Sequence, residues 1–154
     1  MKPLPDHQSL AALVSKVTQP MLGIGCVASH GYRPEEFYCT AVLPIPGQKE
    51  GVVLALSSSQ AGCVRLGSAM FSVEEDEVDD SIISDTLSEL ANMAAGQLKG
   101  MLGLTQALGL PRILTETELS ARADNGWSHY PLMAGEVSLI VSVSTETSTI
   151  AEYC

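Results

Sequence analysis

The sequence predicts an α+β fold, in which a mostly antiparallel sheet has its helices packed on one face. Strand patterns occur before and after a central pair of helical patterns, an order typical of this fold class. Hydrophobic residues make up 45% of the 154 residues, which is enough to build a core, and the length suits one domain rather than two. We therefore expect a single domain over residues 1–154.

The first half of the chain begins with a helical pattern. Apolar residues recur at helical spacing ahead of Pro20 and predict an amphipathic helix over residues 6–17. Period-two alternation then predicts strands at residues 21–30 and 37–45, and a third strand is expected at residues 52–57, after the Pro46-Gly47 turn. The segment 31–36, which contains Pro34, is expected to be a hairpin-type connection between the first two strands.

Two helices are predicted in the middle of the chain. Ser58 or Ser59 is expected to cap a helix that ends near Met70. A longer helical pattern covers residues 80–108 and directly follows the acidic run 74–80. This run is interpreted as a solvated loop whose last carboxylates favour the positive end of the helix dipole.

The end of the chain returns to strand patterns. Past Pro111, alternation predicts strands at residues 113–122 and 136–145. A hairpin turn is expected at Asp124-Asn125-Gly126, because Asn-Gly pairs favour tight turns between strands.

The overall charge limits the classes of partner. The net charge of −10 would repel a phosphate backbone, so no nucleic-acid partner is expected. No apolar run approaches the roughly 18–20 residues needed to cross a bilayer, and the N-terminus does not resemble a signal peptide. We expect a cytoplasmic protein without a membrane partner. The four cysteines form no CxxC pair and the three histidines are isolated, so no metal site is expected.

The long predicted helix has two contrasting sides on a helical wheel. The side expected to face the core comprises Ile83, Leu87, Leu90, Ala94, Leu98, Met101 and Leu102. The opposite side comprises Asp85, Glu89, Asn92, Gly96, Gly100 and Gly103. Glycine costs about 0.8–1 kcal/mol relative to alanine inside a helix. Three glycines on one side remove side-chain bulk, so another group can approach the backbone closely there.

Two structural explanations compete with a functional one for this side. The glycines could allow a neighbouring helix of the same domain to pack closely. Alternatively, Glu89 and Asn92 could be ordinary surface residues, although asparagine is a poor mid-helix residue because its amide competes for backbone hydrogen bonds. The helical pattern alone leaves these alternatives open.

The segment 85–99, DTLSELANMAAGQLK, resembles the signature helix of the CheX/CheC-type chemotaxis phosphatases. Their pattern has an Asp or Ser, three residues, a Glu, two residues and an Asn, often followed by a small residue and a glycine. The segment 51–56, GVVLAL, followed by a helix and an acidic linker, also resembles the CheX arrangement. The resemblance is best over residues 51–102. It implies a CheC-like fold with a long central helix and further helices on one face.

The resemblance implies removal of the phosphoryl group from the phospho-aspartate of a CheY-like response regulator. Asn92 would orient the attacking water, and Glu89 would pair with a lysine of the regulator, so these two are the catalytic candidates. An amide can both donate to and accept from a water, as the water-orienting glutamine of GTPases does. No cofactor is expected on this chain, since the regulator would supply its own Mg²⁺.

The resemblance also implies a partner-binding surface and a dimer. The residues expected to contact the partner are Asp85, Gly96, Lys99 and Gly100. Asp85 could also serve simply as a carboxylate near the start of the helix. CheX-like proteins are expected as homodimers, and the strand at residues 136–145 could provide the sheet edge.

The chain also differs from related patterns in two ways. A second Glu-x-x-Asn motif is absent, so the single-motif CheX arrangement fits better than the two-motif CheC arrangement. The family also has a proline downstream of the asparagine. At this spacing the chain has Thr115, and the nearest proline, Pro111, comes earlier, so the helix end or the following loop is expected to be shorter.

Two functions remain open from the sequence. One is a phosphatase, and the other is a non-catalytic interaction module that binds a response regulator or a flagellar-switch component. The presence of both Glu89 and Asn92 favours the phosphatase, because a pure binder does not need both. A small-molecule-binding domain is disfavoured, since the sequence shows no convergent polar groups for a cavity.

Overall fold

The computed structural model describes residues 1–31, 37–114, 126–146, 150 and 153. These residues form three α-helices and six strands. In chain order they are α1 His7–Leu22, β1 Val27–Ala28, β2 Cys39–Ile45, β3 Val52–Ser58, α2 Gln60–Phe71, α3 Asp80–Leu102, β4 Arg112–Ile113, β5 Ser128–Ala134 and β6 Val137–Ser144. A 3₁₀ turn, Glu75–Glu77, lies between α2 and α3. Across the described ranges, no helix combines the length and hydropathy needed to cross a membrane.

The described strands form one sheet in the order β1-β5-β6-β3-β2-β4. Every pair of neighbouring strands is antiparallel. The pairing of β2 with β3 places Cys39 opposite Ser58, and Ile45 opposite Val52. The predicted α+β fold with an antiparallel sheet is confirmed, as are the strand that became β3 and the helix α2, whose N-cap is Ser59.

The three helices cover one face of the sheet. Alternate strand residues, such as Leu43, Leu54 and Leu139, lie in the main core beneath them. The opposite face has a smaller cluster, made of Val42, Val53 and Ala55 with Leu114, Trp127, Ile150 and Tyr153 packed against it. Both faces of β2 and β3 are therefore covered, and every residue of these two strands is buried.

Helix α3 packs mainly on β2 and also contacts β3, α1 and α2. It begins after Asp79, whose carboxylate accepts a hydrogen bond of 2.9 Å from the backbone N–H of Ile82. It ends before Gly103, which adopts the left-handed conformation with φ of 71°. The predicted end near residue 108 is wrong. Leu104 and Leu108 continue the apolar pattern beyond the helix because they pack against the core from a loop.

We expect Asp79→Ala to lower the free energy of unfolding by about 1 kcal/mol, the usual cost of removing an N-cap side chain. Asp76→Ala is the matched control, because Asp76 is an exposed acidic residue of the 3₁₀ turn and should matter by less than about 0.5 kcal/mol. Urea unfolding followed by circular dichroism measures both variants. Equal midpoints for Asp79→Ala and the wild type would contradict the capping role.

The N-terminal helix is longer than predicted. Helix α1 passes through Pro20 and ends at Leu22, where Gly23 adopts the left-handed conformation with φ of 73°. The predicted strand at residues 21–30 is therefore reduced to β1. The alternation there arises from glycines placed between apolar residues, and the same pattern suits a helix end followed by an irregular segment.

The predicted hairpin at residues 31–36 is wrong in its strand pairing. Strand β1 pairs with β5, whereas β2 lies between β3 and β4. Residues 32–36 lie outside the described residues.

The region after α3 was predicted only in part. The strand expected at residues 113–122 is described only at its start, which belongs to β4. Residues 115–125, which include most of the expected Asp124-Asn125-Gly126 turn, lie outside the described residues. Strand β5 was not predicted, because Pro131 in its centre is unfavourable in a central strand. It forms a hairpin with β6 through Gly135, which has φ of 61°.

Strand β6 confirms the strand predicted at residues 136–145. It lies between β5 and β3 and is paired on both sides. The expectation that this strand offers a sheet edge for a dimer is therefore wrong. Among the described strands, β1 and β4 are the edges.

Candidate functional site

The outer face of α3 presents the residues singled out in the sequence. Asp85 and Glu89 are exposed and Asn92 is half-buried. Glu89 and Asn92 are three residues apart, a spacing that places Cβ atoms on the same side of a helix at about 5–6 Å. Within the described part of the chain, neither side chain makes a hydrogen bond or an ion pair. The carboxylate and the amide are thus available to a bound partner.

Gly96 and Gly100 leave this face bare beyond Asn92. A Cβ atom built on either glycine would have nothing within 4 Å among the described residues. No helix in the described part of the chain packs on Gly96 or Gly100, so the alternative in which one of these helices does so is wrong. Gly103 is different, because it ends the helix and a Cβ there would lie 3.6 Å from the Lys2 side chain.

Two residues near the end of α3 complete this description. Lys99 is half-buried in the last turn, where its positive charge complements the negative end of the helix dipole. It lies seven residues after Asn92, which brings it back to the same side of the helix two turns later.

The prediction that Met101 lies in the core is wrong, since it is 43% exposed at the margin of the apolar side.

An open groove of about 590 Å³ lies beside Asn92. Helix α3 forms one wall of it, and the other walls are the end of α2 and a loop between α3 and β4. The lining residues are Met70, Phe71, Asp85, Ser88, Glu89, Asn92, Leu108, Gly109, Leu110 and Pro111. The structure therefore brings three of the predicted site residues together in one concave surface. Gly96, Lys99 and Gly100 lie outside this lining.

The loop wall of the groove is anchored on the sheet. The backbone N–H of Gly109 donates a hydrogen bond of 3.0 Å to the carbonyl of Pro44 in β2. A Cβ atom on Gly109 would lie only 2.3 Å from Pro44 Cγ, so this close approach requires glycine. Pro111, the proline that comes early relative to the family spacing, lies in the wall that this anchor holds.

The apolar walls of the groove were not predicted from the sequence. Because the helix was predicted to continue to residue 108, the segment that contains Leu110 and Pro111 had no predicted neighbour. The available signal was an apolar residue between a glycine and a proline, just after a helix. That signal indicates an ordered turn but does not reveal that the turn lies beside Asn92.

The groove contains groups that bind and orient rather than attack. The thiols of Cys39 and Cys63 lie in the main core, away from this surface. Burial raises the pKa of Cys63 to about 12 and that of Cys39 to about 11, so both stay protonated at neutral pH. In the part of the chain that the structure describes, no three acidic, histidine or cysteine side chains are grouped to hold a metal ion. What remains is an amide, two carboxylates and the hydroxyl of Ser88.

Comparison with known proteins gives one family. The family described as "Chemotaxis phosphatase CheX" matches residues 39–130, which include the whole of α3 and all the residues that line the groove. A search of the curated proteins gives no match.

Solved structures share the fold at low sequence identity. The chemotaxis protein CheX from Vibrio vulnificus is 12% identical, with a TM-score of 0.72 over 95% of this chain and 100% of that chain. A chain of the CheX–CheY–BeF3–Mg²⁺ complex from Borrelia burgdorferi is 15% identical, with a TM-score of 0.68 over 90% and 97%. A CheC-like superfamily protein from Shewanella sp. PV-4 is 12% identical, with a TM-score of 0.68 over 89% and 94%.

These structural matches establish the fold, and the family match covers well over half of the chain. The matched segment contains the exposed Glu89 and Asn92 and the groove beside them. The chain therefore belongs to the CheX family of chemotaxis phosphatases.

Proposed function

We propose that this chain accelerates hydrolysis of the aspartyl phosphate of a CheY-like response regulator. The observation that supports this proposal most is the Glu89–Asn92 pair, which lies on the outer face of α3 with no partner among the described residues and borders an open groove. A pair packed inside the protein could not have reached a second molecule.

The proposed mechanism needs only one contribution from this chain. An aspartyl phosphate already has a good leaving group, and the regulator would supply its own Mg²⁺ and lysine. The attacking water must still be held in line with the P–O bond. The Asn92 amide can accept one hydrogen bond from that water and donate another, which is the water-positioning role of a glutamine in GTPases. Holding a reactant in the correct orientation lowers the activation free energy by several kcal/mol, as it does in well-oriented intramolecular reactions.

The remaining residues would fix the docked geometry. Glu89, one turn before Asn92, would pair with the regulator's lysine. Gly96 and Gly100 would give the regulator a flat surface, since nothing in the described chain covers them. Asp85 borders the groove and Lys99 lies near the other end of the same side, so both are proposed as peripheral contacts. No covalent intermediate on this chain is required.

The proposed partner follows the family. The Borrelia burgdorferi structure is a complex of CheX with CheY, BeF3 and Mg²⁺. We assign the same class of partner to this chain, because its groove and bare helix face suit a macromolecular surface better than a small enclosed ligand. We also propose a homodimer from the family resemblance. Light scattering at micromolar concentration tests it, and a monomeric mass would contradict it.

A non-catalytic interaction module is the competing function. It would bind the same regulator through the same face and leave the phosphate in place. Phosphate release from response regulators of the same cell, measured with and without this chain, separates the two. Faster release with the chain present is the expected result. Binding to an activated regulator without faster release would favour the interaction module.

A further inference from the structure

Two exposed apolar side chains flank the groove beside Asn92. Phe71, the last residue of α2, is 43% exposed, and Leu110, in the loop before β4, is 87% exposed. Both line the groove. We call this pair the apolar rim. Leu110 is the most exposed large hydrophobic residue in the described part of the chain.

Leu110 is held outward by anchors on both of its sides. Before it, Gly109 donates its backbone hydrogen bond to Pro44 of β2. After it, Pro111 restricts the backbone, and Arg112 pairs with Val42 of the same strand. The loop is therefore fixed to β2 at two points that are three residues apart. The exposure of Leu110 follows from this fixed geometry and not from a loose loop.

Phe71 is also fixed in place. Ser72, which follows it, adopts the left-handed conformation with φ of 54°, a rare choice for a residue with a side chain. The backbone N–H of Ser72 bonds to the carbonyl of Ser68, and the Ser68 hydroxyl donates to the Val73 carbonyl at 2.6 Å. The chain thus turns sharply after Phe71 and leaves its side chain at the mouth of the groove.

The charge around the apolar rim indicates which partner fits. None of the ten residues that line the groove is basic, and two of them, Asp85 and Glu89, are acidic. A partner for this surface must present apolar side chains for the rim and at least one cation for the carboxylates.

We infer that the apolar rim is the anchor that docks the phosphorylated response regulator, by packing against apolar residues that border its phosphorylation site. This inference rests on the proposed function, which already places a lysine of the regulator at Glu89. Phe71 and Leu110 line the same groove as Asn92, so a partner surface that fills the groove around Asn92 also contacts the rim. Interface anchors of this kind supply binding energy, whereas Asn92 acts on the reaction.

The test separates binding from chemistry. Phe71→Ser, Leu110→Ser and the double variant are titrated with a response regulator from the same cell, activated with beryllofluoride and Mg²⁺. Each single change should raise Kd by about fivefold or more, since truncated interface anchors cost at least that factor. Phosphate release at saturating regulator should stay at the wild-type rate. Ile24→Ser is the matched control, because Ile24 is also 43% exposed but lines a different cavity.

The outcomes distinguish this inference from the function on which it rests. Unchanged Kd for both single variants, with normal melting temperatures, would overturn the rim and leave the phosphatase proposal intact. A lower saturating rate with unchanged Kd would also overturn it. A third outcome is that the wild type binds the regulator but does not accelerate phosphate release, and that the rim variants bind more weakly. This outcome would support the docking role of the rim and overturn the phosphatase proposal. If Phe71→Ser unfolds the end of α2, the Kd of Leu110→Ser alone still tests the inference.

Discussion

Asn92→Ala is expected to reduce stimulated dephosphorylation by about a hundredfold or more, because loss of a water-positioning group removes a large share of a positional effect. Binding of the beryllofluoride-activated regulator should change little, since the amide contributes mainly to the reaction. The melting temperature should stay equal or rise slightly, because alanine is a better helix former and Asn92 makes no hydrogen bond within the described residues. Single-turnover decay of phosphorylated regulator measures the rate.

Gln97→Ala is the matched control for this change. Gln97 is an exposed amide residue of the same helix, it does not line the groove, and its loss should leave the rate unchanged. If Asn92→Ala kept the wild-type rate on the true partner, the assigned role would be wrong. If both variants lost activity equally, a general effect on α3 would be the better explanation.

Glu89→Ala is expected to lower kcat/KM for the phosphorylated regulator by about thirtyfold or more, because truncating one member of a desolvated charge pair costs 2 kcal/mol or more. Both affinity and rate should fall, since the carboxylate would position the regulator as well as bind it. Affinity of the wild type should also decrease as salt is raised, and the Glu89→Ala variant should show a weaker salt dependence. Titration with activated regulator at two ionic strengths measures these effects.

Glu77→Ala controls for the general acidity of the chain. Glu77 is an exposed residue of the 3₁₀ turn and does not line the groove. The Glu77→Ala substitution should change the rate of association with the regulator slightly and leave the rate of phosphate release at saturating regulator unchanged. A Glu89→Ala variant that binds and turns over like Glu77→Ala would contradict a specific ion pair at residue 89.

The parts of the fold that were predictable depend on local pattern. Strands β2 and β6 follow from alternation, and strand β3 follows from an apolar run after a turn. The Ser59 cap follows from capping chemistry, and each of these features lies where it was expected. Strand β5 was missed because Pro131 argues against a strand unless its neighbours are known. The sheet order could not be predicted, because it pairs β1 with β5 across most of the chain, and local sequence does not encode such long-range partners.

In the candidate site, too, the features that depend on local pattern were predictable, and those that depend on long-range contacts were not. The Glu89–Asn92 pair and the bare glycines lie on a single helix, so periodicity was sufficient to place them on one outer face. The groove walls come from the end of α2 and from the loop held by Gly109, which are far apart in sequence. Their proximity depends on the contact of that loop with β2. The exposure of Leu110 could be recognised only after this contact was known.

A crystal structure of this chain bound to a beryllofluoride-activated response regulator would show directly whether Asn92 positions the attacking water. The Asn92 amide is expected to lie within hydrogen-bond distance, roughly 3 Å, of a water in line with the phosphoryl analogue. Glu89 is expected to contact a lysine of the regulator. A complex in which the outer face of α3 points away from the regulator's phosphorylation site would contradict the proposed role of Asn92.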